Sequence, residues 1–162
     1  MNRVKQYLEI ERLIACPKEI MVPPKREMTL YRGHWRNDMK LQEQGGDNIF
    51  SAFMRKNADF EENFSIGLIH QPRGVKGEIV LIRLNGPHGP HFLFDHHDRY
   101  HIHIADGENM EAGLKEERKA FITDEYASFP EALAYFIKRC RILNTEDYFP
   151  SYIQTQMKLE DI

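Results

Sequence analysis

The chain has 162 residues, of which 41% are hydrophobic and 29% are charged, a composition that is ordinary for a globular domain and excludes a largely disordered chain. A formal net charge of -3 gives no support to a strongly basic nucleic-acid clamp, although it leaves room for a local basic groove. The two cysteines form neither a disulfide framework nor a C-x-x-C motif, and no apolar run approaches the roughly 20 residues that span a membrane. We therefore expect a cytoplasmic protein without a membrane partner.

Residues 1–47 are predicted to hold a helix followed by an extended segment. Apolar residues at helical spacing predict a helix over residues 2–16, which Pro17 ends. Weak alternation of polar and apolar residues predicts a strand over residues 27–32. Residues 34–47 are polar and end in two glycines, so a loop is predicted there.

Residues 48–143 are predicted to form the core of the domain around an antiparallel meander. Alternating apolar residues predict strands over residues 49–55, 63–70, 78–84 and 99–105, with a short extra strand at 119–122. The first connections are too short for the crossover that a parallel pair needs. We therefore predict an α+β fold in which an antiparallel β-meander of four to six strands packs against N- and C-terminal helices.

The C-terminal helix is predicted to begin at Ser128. Ser128 and Glu131 have the spacing of a capping box, and Pro130 lies in the first turn, where its missing N–H costs nothing. Apolar residues then recur at helical spacing as far as Cys140. Residues 144–162 are predicted to be a tail that packs on the chain itself or on a partner, and the three segments together form one compact domain.

Histidines are concentrated in residues 85–107, which contain six of the eight in the chain. Within this stretch, His101 and His103 alternate with apolar and aromatic residues. A strand here would place both imidazoles on one face and the apolar side chains on the other. Because an imidazole titrates near neutral pH and binds transition metals, the pair indicates a functional site.

General acid–base catalysis on RNA or another phosphoester is the first functional hypothesis. Imidazoles can take a proton from a ribose hydroxyl and give one to a leaving oxygen, while arginine neutralises the phosphate. For any single histidine the alternative is a structural hydrogen bond or a solvated ring. The candidate catalytic residues are His101, His103, Arg83, His88 and Tyr126. The candidate ligand-binding residues are Asn85, Gly86, His91 and Arg99.

Two other functions stay open. A His-x-His pair on a strand can hold a metal ion, but the further ligands would have to come from a loop rich in glycine and proline, so neither a metal nor another cofactor is predicted. The chain could instead be a non-catalytic binding protein, with RNA or a protein as its partner, or a homodimer. No phosphate-binding loop, dinucleotide-binding motif or nucleophile elbow occurs in the sequence.

Four blocks of the sequence carry a resemblance to a known family. They are FSAFMRKNADFEENFSIGL (50–68), LIRLNGPHG (81–89), YHIHIADGENMEAG (100–113) and TDEYASFPEALAYFIKRCRI (123–142). In this order they resemble a family of small uncharacterised bacterial proteins from mobile-element or defence-type gene neighbourhoods, over about residues 48–143. The strand-borne histidines and the C-terminal helix are also similar to small toxins of toxin–antitoxin pairs, although the basic segment that precedes the first histidine in those toxins is missing. The family resemblance implies a shared domain with recurrent positions at Asn85, Gly86, His101, His103 and Tyr126.

Overall fold

The computed structural model of the protein describes residues 3–72, 77–88, 98–105 and 119–150. Two α-helices and eight β-strands lie in these ranges, and a short 3-10 turn follows them. The helices are α1 (Arg3–Ala15) and α2 (Phe129–Arg139), and the 3-10 turn is Thr145–Asp147. The strands are β1 (Lys18–Val22), β2 (Thr29–Tyr31), β3 (His34–Glu43), β4 (Ile49–Asn57), β5 (Phe64–Gln71), β6 (Ile79–Asn85), β7 (His101–Ile104) and β8 (Lys119–Ile122).

All eight strands belong to one sheet, in the order β1-β3-β4-β5-β6-β7-β8. Every neighbouring pair is antiparallel. β2 pairs with the first residues of β3, whereas β1 pairs with its last residues, so the two short strands share one edge. The predicted α+β fold, an antiparallel sheet with helices at both ends of the sequence, is confirmed. The sheet is larger than the four to six strands that the alternation predicts.

Strand β3 occupies the stretch for which the sequence predicts a loop, residues 34–47, and that prediction is wrong. β3 pairs with β4 along most of its length. The sequence of β3 looks polar because only Met39 and Leu41 on this strand are buried, while its other side chains are exposed or half-buried. β1 gives an equally weak signal, since Ile20 is its one buried apolar residue.

Cross-strand register divides the sheet into two faces, because directly paired residues project to the same side. One face is apolar and packs with residues of both helices in a single core. Its buried strand residues include Met39, Leu41, Phe50, Ala52, Met54, Ile66, Leu68, Ile82, Leu84 and Ile102. The opposite face, here called the polar face, carries His34, Arg36, Asp38, Phe53, Arg55, Ser65, Gly67, Arg83, Asn85, His101 and His103.

Helix α2 begins where its capping residues predict. The hydroxyl of Ser128 accepts a hydrogen bond from the backbone N–H of Glu131 (3.2 Å), and the Glu131 carboxylate accepts one from the N–H of Ala127 (2.9 Å). These bonds satisfy donors that a helix start leaves without partners. The apolar side of α2 then reaches the core through Leu133 and Phe136. Neither described helix is long and apolar enough to cross a membrane.

Lys18, at the start of β1, is fully buried. Its ammonium group donates to three backbone carbonyl oxygens, those of Ile14 (2.7 Å), Cys16 (2.8 Å) and Cys140 (2.8 Å). These carbonyls lie at the C-terminal ends of α1 and α2, where backbone acceptors lack partners within the helix and where a cation is favourable. One side chain therefore holds both helix ends against β1.

Candidate functional site

The predicted histidine pair lies on β7, at the centre of a cluster of three imidazoles. His101 pairs with Asn85 on β6, and His103 pairs with Arg83. The rings of His101 and His103 have their centroids 5.1 Å apart, and the ring of His88 lies 5.2 Å from that of His101. The alternation in the sequence thus places both strand-borne histidines on the polar face, as predicted, and the chain before β7 adds His88.

His101 is the buried member of this cluster, with 0% of its surface exposed. Its Nδ1 lies 2.7 Å from the carbonyl oxygen of Arg99. Because a carbonyl oxygen can only accept, Nδ1 carries the proton, and a neutral ring then has its lone pair on Nε2. This bond fixes the ring orientation, so His101 is suited to positioning its neighbours more than to meeting a ligand itself.

A pocket of about 280 Å³ opens beside the cluster on the polar face. Its described lining residues are His34, Arg55, Asn63, Phe64, Ser65, Arg83, Asn85 and His88. Register explains why they meet, since Arg55 pairs with Ser65 and Ser65 pairs with Asn85 across β4, β5 and β6. Two arginines and two histidines line the pocket, and none of its described lining residues is acidic. The pocket therefore offers a positive environment to an anion.

Asn85 lines this pocket and carries a buried hydrogen-bond donor. The residue is only 5% exposed, and its Oδ1 accepts from the hydroxyl of Ser65 at 2.9 Å. Its Nδ2 is buried and has no hydrogen-bond partner among the described residues. A buried donor without a partner costs about 1–3 kcal/mol, so an oxygen atom of a ligand would be a favourable partner for it.

The surroundings of His34 lower the pKa of its imidazole. Desolvation lowers the pKa of His34, and the positive charges of Arg55 and Arg36 lower it further. A neutral imidazole at this position can accept as well as donate a hydrogen bond. Both arginines are exposed, and of the two only Arg55 is among the described residues that line the pocket.

Gly86 and Tyr126 both contact the backbone next to the site. A side chain at Gly86 would overlap the carbonyl oxygen of Glu62, and the Gly86 N–H donates to the carbonyl of Phe64 at 3.0 Å. The Tyr126 hydroxyl lies 3.0 Å from the carbonyl oxygen of Asn85 and 2.9 Å from that of His101, and burial raises the pKa of Tyr126. Both residues thus fix the ends of β6 and β7, and their predicted parts in catalysis and binding stay predictions.

The remaining predicted site residues are placed differently. Arg99 is exposed and reaches the cluster through its backbone carbonyl, which holds His101. His91 lies outside the described residues. The sequence interpretation missed His34 and Arg55. Arg55 could have been found, because it lies on the polar side of a predicted strand, whereas His34 lies in the stretch that reads as a loop.

The described residues do not form a metal site. No group of three or more histidine, cysteine, aspartate or glutamate residues in the described ranges is arranged to hold a metal ion. The nearest arrangement is the cluster of His88, His101 and His103, in which one ring is already oriented by a backbone carbonyl.

Comparison of the chain with family models, with curated proteins and with solved structures found no match in any of the three. The resemblance of the four sequence blocks to a bacterial family therefore stays a prediction.

Proposed function

We propose that the protein binds RNA or another phosphoester in the pocket on the polar face. The observation that carries the proposal is the lining of this pocket, in which Arg55, Arg83, His34 and His88 meet without an acidic residue among the described ones. The planar guanidinium group matches the oxygens of a phosphate and makes paired, charge-assisted hydrogen bonds with them. The Nδ2 of Asn85 is a further donor for a phosphate or sugar oxygen.

The three imidazoles of the cluster, of which His88 lines the pocket, supply the groups for phosphoester cleavage. In RNA, one ring takes the proton of the 2′-hydroxyl as its oxygen attacks phosphorus, and a second, protonated ring gives a proton to the 5′-oxygen that leaves. His88, which lines the pocket, and His103, which pairs with Arg83, are assigned to these two steps. His101 touches both rings and acts as a positioning residue. This is the chemistry of a toxin-like ribonuclease.

Binding is tested with a 2′-O-methyl dinucleotide, which has a phosphate but no nucleophilic hydroxyl, by titration calorimetry. Arg83→Ala and Arg55→Ala should each weaken binding by about 10- to 150-fold, since a hydrogen bond to a charged group contributes about 1.5–3 kcal/mol. Lys40→Ala is the matched control, because Lys40 is an exposed cation on β3 outside the pocket. Binding that is unchanged in both arginine variants would refute the proposed site.

Cleavage is tested separately with an unmodified single strand of RNA analysed on a gel. His88→Ala and His103→Ala should abolish cleavage while the dinucleotide still binds, because neither substitution removes an arginine. A wild-type protein that binds the strand and leaves it intact would remove the catalytic assignment and leave a non-catalytic binding protein. Retained cleavage in both variants would show that these imidazoles are not the acid and base.

A further inference from the structure

The polar face continues beyond the pocket to the hairpin of β2 and β3. Arg36 pairs directly with Arg55, and Tyr31 on β2 lies diagonally beside Arg36. The guanidinium carbons of Arg32 and Arg36 lie 5.1 Å and 5.3 Å from the centre of the Tyr31 ring. Tyr31 is 52% exposed. We call Tyr31, Arg32 and Arg36 the hairpin cluster. It combines an exposed aromatic ring with two planar cations, and both kinds of group can stack on a nucleobase.

The hairpin cluster adjoins the pocket, because Arg36 pairs with Arg55 and Tyr31 pairs with His34, and both partners line the pocket. Phe53 lies in the neighbouring row, next to Arg55 along β4, with its ring over Gly67, where any side chain would overlap it. In register, Gly67 separates Phe53 from Arg83. Phe53 is half-buried, so part of its ring remains accessible beside Arg55.

The charge along this path is positive, in contrast to the net charge of the chain. Arg36, Arg55 and Arg83 lie in two adjacent cross-strand rows of the polar face. Asp38, beside Phe53, is the only carboxylate in the described parts of those two rows. The whole chain carries a net charge of -3. A polyanion would therefore be attracted to this path and repelled by much of the remaining surface.

We infer that single-stranded RNA binds along the polar face from the pocket to the hairpin cluster, with phosphates at Arg83, Arg55 and Arg36 and a base stacked on Tyr31. This inference rests on the proposed function and extends it to a ligand class and a second contact site. From β3 to β6 the face is four strands wide, about 14 Å, and sheets of that width with exposed aromatic residues stack two or three bases in known RNA-binding modules. A duplex keeps its bases stacked inside and offers none to Tyr31.

The test compares the 2′-O-methyl dinucleotide with a 2′-O-methyl single strand of about 12 nucleotides, which is within the site size of sheet-based single-strand binders. Tyr31→Ala and Arg36→Ala should each weaken binding of the long strand by about fivefold or more and leave dinucleotide binding unchanged. Arg36→Ala should also reduce the slope of log affinity against log salt concentration by about 0.7. Arg83→Ala should weaken both ligands, and Lys40→Ala neither.

The outcomes separate this inference from the proposed function. If Tyr31→Ala and Arg36→Ala bind the long strand as tightly as the wild type while Arg83→Ala weakens both ligands, the inference is wrong and the proposed function stands. If neither Arg83→Ala nor Arg55→Ala weakens binding of either ligand, the proposed function is wrong. A duplex of equal length that binds as tightly as the single strand would also overturn the inference. Both hairpin residues are exposed, so their variants should keep the wild-type melting temperature.

Discussion

Replacing Lys18 with methionine is expected to lower the free energy of unfolding by about 3–5 kcal/mol. The methionine keeps the length of the side chain but leaves three carbonyl oxygens without the donor that the ammonium provides. The hydrogen bonds to Ile14 and Cys140 are buried, and the one to Cys16 is partly buried. Each such acceptor costs about 1–3 kcal/mol, or about 3–9 kcal/mol together. Part of this loss is offset because burying the ammonium itself costs several kcal/mol. The remainder agrees with the loss that follows when one partner of a buried charged interaction is removed.

The assay is urea unfolding followed by far-ultraviolet circular dichroism, with a thermal melt in parallel. For a chain of this length about 2–4 °C corresponds to 1 kcal/mol, so Lys18→Met should lower the Tm by about 6–20 °C. Lys40→Met is the matched control, because Lys40 is exposed, and it should stay within about 0.5 kcal/mol of the wild type. A Lys18→Met protein as stable as this control would show that the three carbonyls find other partners and would refute the reasoning.

Three further predictions concern His70, Cys140 and Gly86. Burial lowers the pKa of His70 below its ordinary 6.5, so at lower pH the unfolded chain binds a proton that the folded protein does not. The free energy of unfolding should therefore fall as the pH drops below about 6.5, and less steeply in His70→Gln. Burial raises the pKa of Cys140 to about 12, so its thiol should react with Ellman's reagent at about pH 8 far more slowly in the folded protein than in urea. Gly86→Ala should destabilise the protein by about 1–3 kcal/mol in the same urea assay, because the added carbon overlaps a backbone oxygen.

Each of these predictions has its own control. An equally steep pH dependence in His70→Gln would show that other groups cause it. Cys16→Ser leaves Cys140 as the only thiol, and a reaction as fast in the folded protein as in urea would contradict its burial. Gly46→Ala meets only a flexible side chain, so it should destabilise less than Gly86→Ala. Equal losses at both glycines would contradict the contact at Gly86.

Among the strands that the sequence predicts, β4, β5, β6 and β7 have buried residues on one side, whereas β2 is exposed along its length and is predicted from weak alternation alone. On β4, for example, Phe50, Ala52 and Met54 are buried in strict alternation, which is a strong period-two signal. β1 and β3 lack this signal because most of their length is at the edge of the core. Both are held by pairing with neighbours that lie elsewhere in the sequence. Hydrogen bonding between strands leaves no local pattern, so such strands cannot be found from composition alone.

The candidate site, too, could be predicted from the sequence only in part. The shared face of His101 and His103 follows from the period of a strand and could be predicted. The meeting of Arg55 with Asn85 could not, because it depends on the register of three strands. No pattern in the sequence predicts that Lys18 is buried. A lysine is usually exposed. The burial of Lys18 is favourable because two helix ends converge on it and provide three acceptors, which the local sequence does not reveal.

The attachment of β1 to the end of α2 sets an order on how a growing chain can fold. The N–H of Lys18 donates to the carbonyl of Arg141 (2.9 Å), and the N–H of Leu143 donates to the carbonyl of Lys18 (2.8 Å). Glu11 on α1 also pairs with Arg139 at 2.9 Å. During synthesis α1 and β1 emerge before the rest of the sheet, and these partners emerge only after it. Contacts of such large sequence separation form more slowly than the pairing within hairpins, so we expect this closure to follow formation of the sheet.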